Sequence, residues 1–228
     1  MPDLEPAWSD DLTGHRISAV IFDLDGVIVD SMQVMREAFR IAYAEVVGAG
    51  EAPFNEYNRH LGRYFPDIMM IMGLPPEMEE PFVRESYRLA HRIRPYEGVT
   101  ELLHGLRARG LRLAVATGKS GPRARSLLDG LGLLGLFDHV IGGDEVARAK
   151  PAPDMVLLAL SLWGAESEEA VMIGDAETDI LSAHSAGVAA VAALWGESDT
   201  ERLLAAKPQA VLHRPAELLR LFPAMHRT

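Results

Sequence analysis

Two aspartates separated by one residue, Asp23 and Asp25, follow a short apolar run and precede Gly26. The run, residues 19–22, is typical of a buried parallel strand, and the Asp-Gly pair is a turn signal. Both carboxylates therefore leave the carboxyl end of a strand, the edge at which open α/β sheets bind ligands. Because like charges repel, one carboxyl would be neutral unless a cation or a proton shared the site. The pair indicates a hard metal ion such as Mg²⁺, acid–base chemistry, or both.

Polar residues also follow three later apolar runs. They are Thr117, Gly118 and Lys119, then Lys150, then Asp175 with Asp179. Each has a simpler explanation, since Thr117-Gly118 can merely end a strand, Lys150 can lie in a solvated loop and Asp175 can cap a helix. For all of these explanations to hold at one edge of one sheet would be a coincidence, so we interpret the residues as one site.

Apolar runs alternate with helical periodicity over most of the chain. Strands are predicted near residues 19–22, 111–116, 137–141, 170–173, 188–194 and 210–212. Helices are predicted near residues 99–109, 123–131, 153–163, 177–186 and 216–221. Strands that alternate with helices indicate an α/β fold with βαβ units around a parallel sheet.

The segment between residues 30 and 95 carries no strand-like run. Its first helix is predicted to begin at a capping box formed by Asp30 and Gln33. A short Met-rich helix is predicted after the turn at residues 62–66, and another helix near residues 81–93. We interpret this segment as an insert that acts as a lid over the carboxyl edge of the sheet.

Composition narrows the class of protein. The chain has 228 residues, 48% of them apolar and 24% charged, which is typical of a globular protein able to bury a core. Its net charge of −11 argues against a binder of nucleic acid or of anionic membranes. It has no cysteine, which excludes disulfides and thiolate catalysis. No signal peptide is visible near the start, so we expect a cytoplasmic enzyme, as a monomer or homodimer.

Taken in order, these motifs resemble the haloacid dehalogenase superfamily of phosphohydrolases. The matching stretches are Asp23-x-Asp25-Gly26-Val27-x-x-Asp30-Ser31, Thr117-Gly118-Lys119, Lys150-Pro151 and Gly174-Asp175-x-x-x-Asp179. The resemblance implies a Rossmann-like core made of residues 1–30 and 95–228, and a small helical cap made of residues 31–94. It also implies Mg²⁺ as the cofactor and a small phosphorylated metabolite as the substrate.

The resemblance further implies roles for these residues. Asp23 would form an aspartyl-phosphate, and Asp25 would act as general acid and then general base. The metal would be held by Asp23, the Asp25 carbonyl and Asp175. The remaining implied roles are phosphate binding by Gly26, Thr117, Gly118 and Lys119, charge balance by Lys150, and orientation of Lys150 or a water by Asp179. In the cap, Arg63 is the candidate for contacting the substrate.

Several alternatives remain open within this resemblance. Dehalogenases of the superfamily lack the second acid, so Asp25 favours phosphate chemistry. Phosphonate-cleaving members use a cap lysine, and residues 30–95 contain none. A phosphosugar mutase of the β-phosphoglucomutase type stays possible, as does a non-catalytic phosphoacceptor resembling a receiver domain, although receivers are far shorter.

Two stretches favour a branch of the superfamily. Residues 117–120 look like those of phosphoglycolate phosphatases and pyrophosphatases. Residues 56–66 are similar to phosphatase-like proteins of 3-amino-5-hydroxybenzoate biosynthesis, in bacterial antibiotic pathways. This second likeness would imply a phosphorylated aminosugar or a related intermediate as the substrate.

Overall fold

The computed structural model describes residues 17–196 and 199–222. The absence of a signal peptide was predicted from residues that lie outside these ranges. The strands are β1 (Ala19–Phe22), β2 (Val29–Asp30), β3 (Arg94–Pro95), β4 (Arg112–Thr117), β5 (His139–Gly142), β6 (Ala170–Gly174), β7 (Ala189–Ala193) and β8 (Ala210–Leu212). Six of them form one sheet in the order β5-β4-β1-β6-β7-β8, in which every pair is parallel. The α/β fold with a parallel sheet is confirmed.

Helices pack on both faces of the sheet, and four further helices come between β2 and β3 in the order of the chain. They are α1 (Met32–Val46), α2 (Phe54–Asn58), α3 (Phe65–Met72), α4 (Glu79–Leu89), α5 (Val99–Ala108), α6 (Gly121–Gly130), α7 (Asp154–Trp163), α8 (Glu177–Ser185), α9 (Thr200–Ala205) and α10 (Leu218–Leu221). In the described part of the chain, no helix combines the length and apolar character that a membrane crossing requires.

Side-chain alternation along β1 divides the core into two layers. Val20 and Phe22 point into a cluster that includes α5, α6 and α10. Ala19 and Ile21 point into a second cluster with α7, α8 and α9. Successive side chains of a strand face opposite sides, and here both sides are buried. This burial explains why the strand sequences are continuous apolar runs.

The register of the central strands brings their carboxyl ends to one level. Phe22, the last residue of β1, lies opposite Val115 of β4 and Ile173 of β6. The residues that follow β1, β4 and β6 therefore emerge side by side. Because β1 has β4 on one side and β6 on the other, this edge is a topological switch point, where α/β sheets form ligand crevices.

Residues 31–94, which we call the helical insert, have an aromatic core of their own. The rings of Phe65 and Phe82 stack with their centroids 4.1 Å apart, and Tyr57 lies against both. The two ends of the insert meet in an antiparallel ribbon, in which β2 pairs with β3. The two chain segments that join the insert to the rest of the protein therefore run side by side in this ribbon.

The structure corrects one prediction and adds elements that were not predicted. The capping box is wrong, because Asp30 belongs to β2 and α1 begins at Met32 without a side-chain cap. Helix α2 and the β2–β3 ribbon were not predicted. They have five and two residues per element, too few to show a periodicity. The start of the last predicted helix is a 3₁₀ turn, and only Leu218–Leu221 is α-helical.

Candidate active site

Asp23 and Lys150 form a buried ion pair at the carboxyl edge of the sheet. Asp23 is 3% exposed and Lys150 is 1% exposed. The Lys150 Nζ donates to Asp23 Oδ1 at 2.8 Å, to Asp179 Oδ1 at 2.6 Å and to the carbonyl of Ala116 at 2.9 Å. These three bonds use every proton of the ammonium group. Lys150 thereby ties together the ends of β1, β4 and the first turn of α8.

Asp179 is held on its other side as well. Its Oδ2 accepts a hydrogen bond of 3.0 Å from the backbone N–H of Ala176, the residue that precedes α8. Both of its oxygens are therefore engaged within the protein. Asp179 thus holds Lys150 in place and also bonds the N–H of Ala176, which is the N-cap residue of α8. The alternative in which Asp175 is the N-cap is therefore wrong.

The site has more negative than positive charge. Burial raises the pKa of Asp23 from 3.8 to about 7; Lys150 opposes this shift, and the charge of Asp179 reinforces it. Burial alone would lower the pKa of Lys150, but the carboxylates of Asp179 and Asp23 raise it. One ammonium group thus serves two carboxylates, and a proton or another cation is needed to balance the charge.

Asp25 lies on the other side of the same turn, next to two donors. The hydroxyl of Ser31 donates to Asp25 Oδ1 at 2.5 Å, and the Lys119 Nζ lies 3.3 Å from Asp25 Oδ2. Burial lowers the pKa of Lys119, and the Asp25 carboxylate counteracts this effect. Ser31, where the sequence suggested a helix start, instead orients the second acid.

The loop after β4 approaches the helical insert closely. Thr117 is buried, and its Oγ1 accepts a hydrogen bond of 3.1 Å from the backbone N–H of Lys119. A Cβ atom on Gly118 would overlap the carbonyl oxygens of Gly62 and Arg63. Glycine at position 118 therefore lets the loop and the insert touch, next to the start of α6.

An acidic cluster at this edge has the composition of a cation site. Oxygens of Asp23, Asp175 and Asp179 all lie within 4.8 Å of one another, and all three residues are buried. A Cβ atom on Gly26, whose φ is +87°, would overlap the carboxylate of Asp175, so glycine is required for this approach. Carboxylate oxygens suit a hard ion such as Mg²⁺. Both oxygens of Asp179 bond within the protein, whereas Asp23 and Asp175 line the cleft and are the side chains that an ion there would meet.

A cleft that is open to solvent separates this edge from the helical insert. The predicted residues that line it are Asp23, Asp25, Gly26, Arg63, Thr117, Gly118, Lys119 and Asp175, while Lys150 and Asp179 lie behind Asp23. The structure therefore brings the predicted set together. It also adds Arg123 and an apolar wall that the sequence did not reveal, made of Met32, Met35, Tyr57, Phe65, Ile68 and Phe82.

Comparison with known proteins agrees with this geometry. Residues 20–193 match the family described as haloacid dehalogenase-like hydrolase. The chain belongs to this family. It is 34% identical over 223 residues to the probable phosphatase IndB of Dickeya dadantii (strain 3937), covering 88% of this chain and 91% of that protein. It is 30% identical over 218 residues to a phosphoglycolate phosphatase of Aquifex aeolicus (strain VF5), covering 89% and 95% of the two chains.

Solved structures of the family share the fold. The crystal structure of a hydrolase from Pseudomonas syringae has a TM-score of 0.78 and 27% identity, covering 89% of this chain and 96% of that one. The predicted superfamily and the predicted class of enzyme, a phosphoric monoester hydrolase, are confirmed.

Proposed function

We propose that this hydrolase is a Mg²⁺-dependent phosphatase that cleaves a small phosphate monoester through an aspartyl-phosphate on Asp23. The observation that carries the proposal is the buried Lys150, which bonds one oxygen of Asp23 while the Asp23 side chain lines the cleft. A carboxylate held in this way is oriented for attack on a bound phosphoryl group.

In the first step, an oxygen of Asp23 attacks phosphorus and the bond from phosphorus to the ester oxygen breaks. Asp25 gives a proton to the departing oxygen, so the leaving group departs as an alcohol. Ser31 and Lys119, which contact the two oxygens of Asp25, fix its direction. Thr117 and the backbone N–H of Gly118 hold the phosphoryl oxygens, and Lys150 offsets the added negative charge.

In the second step, Asp25 removes a proton from a water molecule, and the water oxygen attacks phosphorus. The bond from phosphorus to Asp23 breaks, which releases inorganic phosphate and restores the carboxylate. Asp179 keeps Lys150 next to Asp23 throughout, because its second oxygen is fixed to the start of α8.

The metal ion would be held by Asp23, the backbone carbonyl of Asp25 and Asp175. When bound, Mg²⁺ offsets the repulsion among the carboxylates and polarises a phosphoryl oxygen. The excess negative charge around Asp23 and the close approach of Gly26 to Asp175 support this assignment.

We further propose that residues 1–30 and 95–228 form the catalytic core and that residues 31–94 form a cap. The cap closes the cleft, and its loop brings Arg63 to the lining as a substrate contact. For the substrate we propose a sugar, aminosugar or small-acid phosphate. A role in aminohydroxybenzoate antibiotic biosynthesis is supported by the likeness of residues 56–66.

The proposal is tested by measuring phosphate released from a panel of sugar, aminosugar and small-acid phosphates. Wild-type protein with Mg²⁺ is expected to turn over, whereas Asp23→Asn should lose more than about 10³-fold in kcat, because the nucleophile is gone. Asp129→Asn is the matched control, since Asp129 is exposed on α6. Normal turnover by Asp23→Asn would contradict the mechanism.

The same assay separates the alternatives. A phosphosugar mutase would need a bisphosphate primer and release no free phosphate. A non-catalytic phosphoacceptor would keep its phospho-aspartate for minutes or longer, which rapid quenching and intact-mass measurement would detect.

A further inference from the structure

Arg123 is a buried cation in the wall of the cleft. It is 7% exposed, and it is the only buried arginine in the part of the chain that the structure describes. Its guanidinium carbon lies 5.1 Å from the centre of the Phe82 ring, so the side chain reaches from α6 to the helical insert. Arginine is rarely buried without a paired anion, because removing its charge from water is costly.

No such anion is present among the described residues. Within ion-pair distance, Lys150 has Asp23 and Asp179, and Lys119 has Asp25, but no carboxylate lies within 4.0 Å of the Arg123 nitrogens. In the described part of the chain, Arg123 packs on the ring of Phe82 while Asp25 acts on it from beyond ion-pair distance. A ring face cannot accept the in-plane hydrogen bonds of a guanidinium group. Arg123 therefore keeps donors for a bound molecule.

The local backbone adds to the positive charge. Arg123 lies in the first turn of α6, which contains no acidic residue. The amino end of a helix carries partial positive charge, so a cation there is unfavourable unless an anion joins it. Burial lowers the pKa of Arg123, and the carboxylate of Asp25 is the strongest opposing influence. Arginine nevertheless stays protonated in proteins.

We propose that Arg123 binds a second anionic group, one carried by the leaving-group part of the substrate. Asp23, Thr117 and Gly118 are already committed to the transferred phosphoryl group, so an anion at Arg123 belongs to the rest of the molecule. Met35, Tyr57 and Phe82 supply most of an apolar face in the same cleft, and the charged side chains Asp25 and Lys119 line it as well. A compact body with a flat apolar face and one carboxylate, or one further phosphate, fits these surroundings.

This inference rests on the proposed phosphatase function. It is therefore tested by the ratio of kcat/KM between paired anionic and neutral substrates, and by a binding measurement that needs no turnover. The probes are 3-carboxyphenyl and 4-carboxyphenyl phosphate, each paired with its neutral carbamoyl analogue, and 1,3-phenylene bisphosphate paired with phenyl phosphate. For at least one pair, wild-type protein is expected to prefer the anionic ester by about tenfold or more in kcat/KM, the usual gain from a charge-assisted hydrogen bond. The pair that shows the preference tells whether the anion is a carboxylate or a phosphate.

Arg123→Met keeps much of the side-chain volume and removes the charge. Its ratio of anionic to neutral kcat/KM should fall to about one, and Arg123→Lys should restore part of the preference. Arg125→Met is the control, because Arg125 lies on the same helix and pairs with Glu145 at the surface. A wild-type ratio near one for every pair, or an unchanged ratio in Arg123→Met, would overturn the proposal.

Binding to Asp23→Asn separates this inference from the proposed function, because it does not need turnover. Isothermal titration with the same pairs should show tighter binding of the anionic ester, and the double variant with Arg123→Met should lose that difference. If wild-type protein released no phosphate but the binding difference were present, the phosphatase proposal would fail while the anion site would stand. Equal binding of both members of every pair would refute the anion site.

Discussion

At the scale of single residues, the site concentrates charge that the protein itself does not balance. Lys150 shares its protons between Asp23 and Asp179, and Asp25 lies nearby. The pKa of Asp23 rises to about 7 because the residue is buried among these carboxylates. Between about pH 3.8 and pH 7, Asp23 is therefore protonated in the folded protein but ionised in the unfolded chain. Folding stability therefore falls as the pH rises from that value to about 7.

Asp23→Asn should consequently stabilise the metal-free protein, and more so at about pH 7.5 than at about pH 5.5. At the higher pH we expect the free energy of unfolding to increase by about 1 kcal/mol or more. In a chain of this size, each kcal/mol corresponds to about 2–4 °C in Tm. Thermal unfolding in a chelator, followed by circular dichroism at both pH values, measures it. Asp129→Asn, at an exposed position, should show no such dependence on pH. An equal gain for Asp23→Asn at both values would mean that its pKa is not raised.

Some residues of the site could be predicted from the sequence, and others could not. Asp23, Thr117 and Asp175 could be predicted because each stands at the carboxyl end of an apolar run, and parallel strands end at one edge. Arg123 could not, since nineteen arginines occur in the chain and burial depends on the tertiary contact with Phe82. The capping prediction failed because Asp30 pairs with Arg94 in the β2–β3 ribbon, a contact between distant residues, and α1 begins at Met32 without a side-chain cap.

At the scale of elements, contacts from α8 and α9 hold one loop of the helical insert against the sheet edge. The hydroxyl of Thr178 donates to the carbonyl of Leu61 at 3.0 Å, and Arg202 donates to the carbonyl of Arg59 at 3.1 Å. Gly62, which directly follows Leu61, has a φ of +85°, and a Cβ atom there would overlap the Thr178 hydroxyl. A glycine is thus needed both for the backbone conformation and for the contact.

Gly62→Ala should lower stability by about 1–2 kcal/mol through backbone strain, and it should also push the insert away from Thr178. The second effect should lower kcat/KM on a phosphate ester, since the cleft is shared by the two sides. Gly73→Ala is the matched control, because its φ is +65° but no described atom lies within 4 Å of the added carbon. Gly73→Ala should show the loss of stability alone. If both variants lost kcat/KM equally, the contact at Gly62 would not matter for the cleft.

Elements were predicted well where they were long and apolar. The six strands of the sheet lie within about two residues of the predicted positions, because burial on both faces leaves an unbroken apolar run. The ribbon of β2 and β3 could not be predicted from the sequence, because it depends on the pairing of residues 29 and 95, which are far apart in the chain. Such a pairing between distant two-residue segments has no local signal.

At the scale of the whole molecule, the fold gathers its acidic cluster where the ends of β1 and β6 meet the start of α8. The residues come from positions 23, 175 and 179, so the cluster exists only in the folded chain. A cation that binds there stabilises the folded state and not the unfolded one. The net charge of −11 adds to the attraction for any cation.

Mg²⁺ should therefore raise the Tm of the wild-type protein, because binding adds about 2.7 kcal/mol to the free energy of unfolding when the Mg²⁺ concentration is 100 times Kd. Asp175→Asn should lose most of this increase, because one carboxylate next to Gly26 is gone, whereas Asp129→Asn should retain it. The increase should be greater at about pH 8 than at about pH 6, since Asp23, with a pKa of about 7, must lose its proton before it can bind the ion. Differential scanning calorimetry with Mg²⁺ titrated after chelation measures each arm. If Asp175→Asn kept the full increase, the ion would bind elsewhere on an acidic surface, and the charge around Asp23 would have to be balanced by a proton instead.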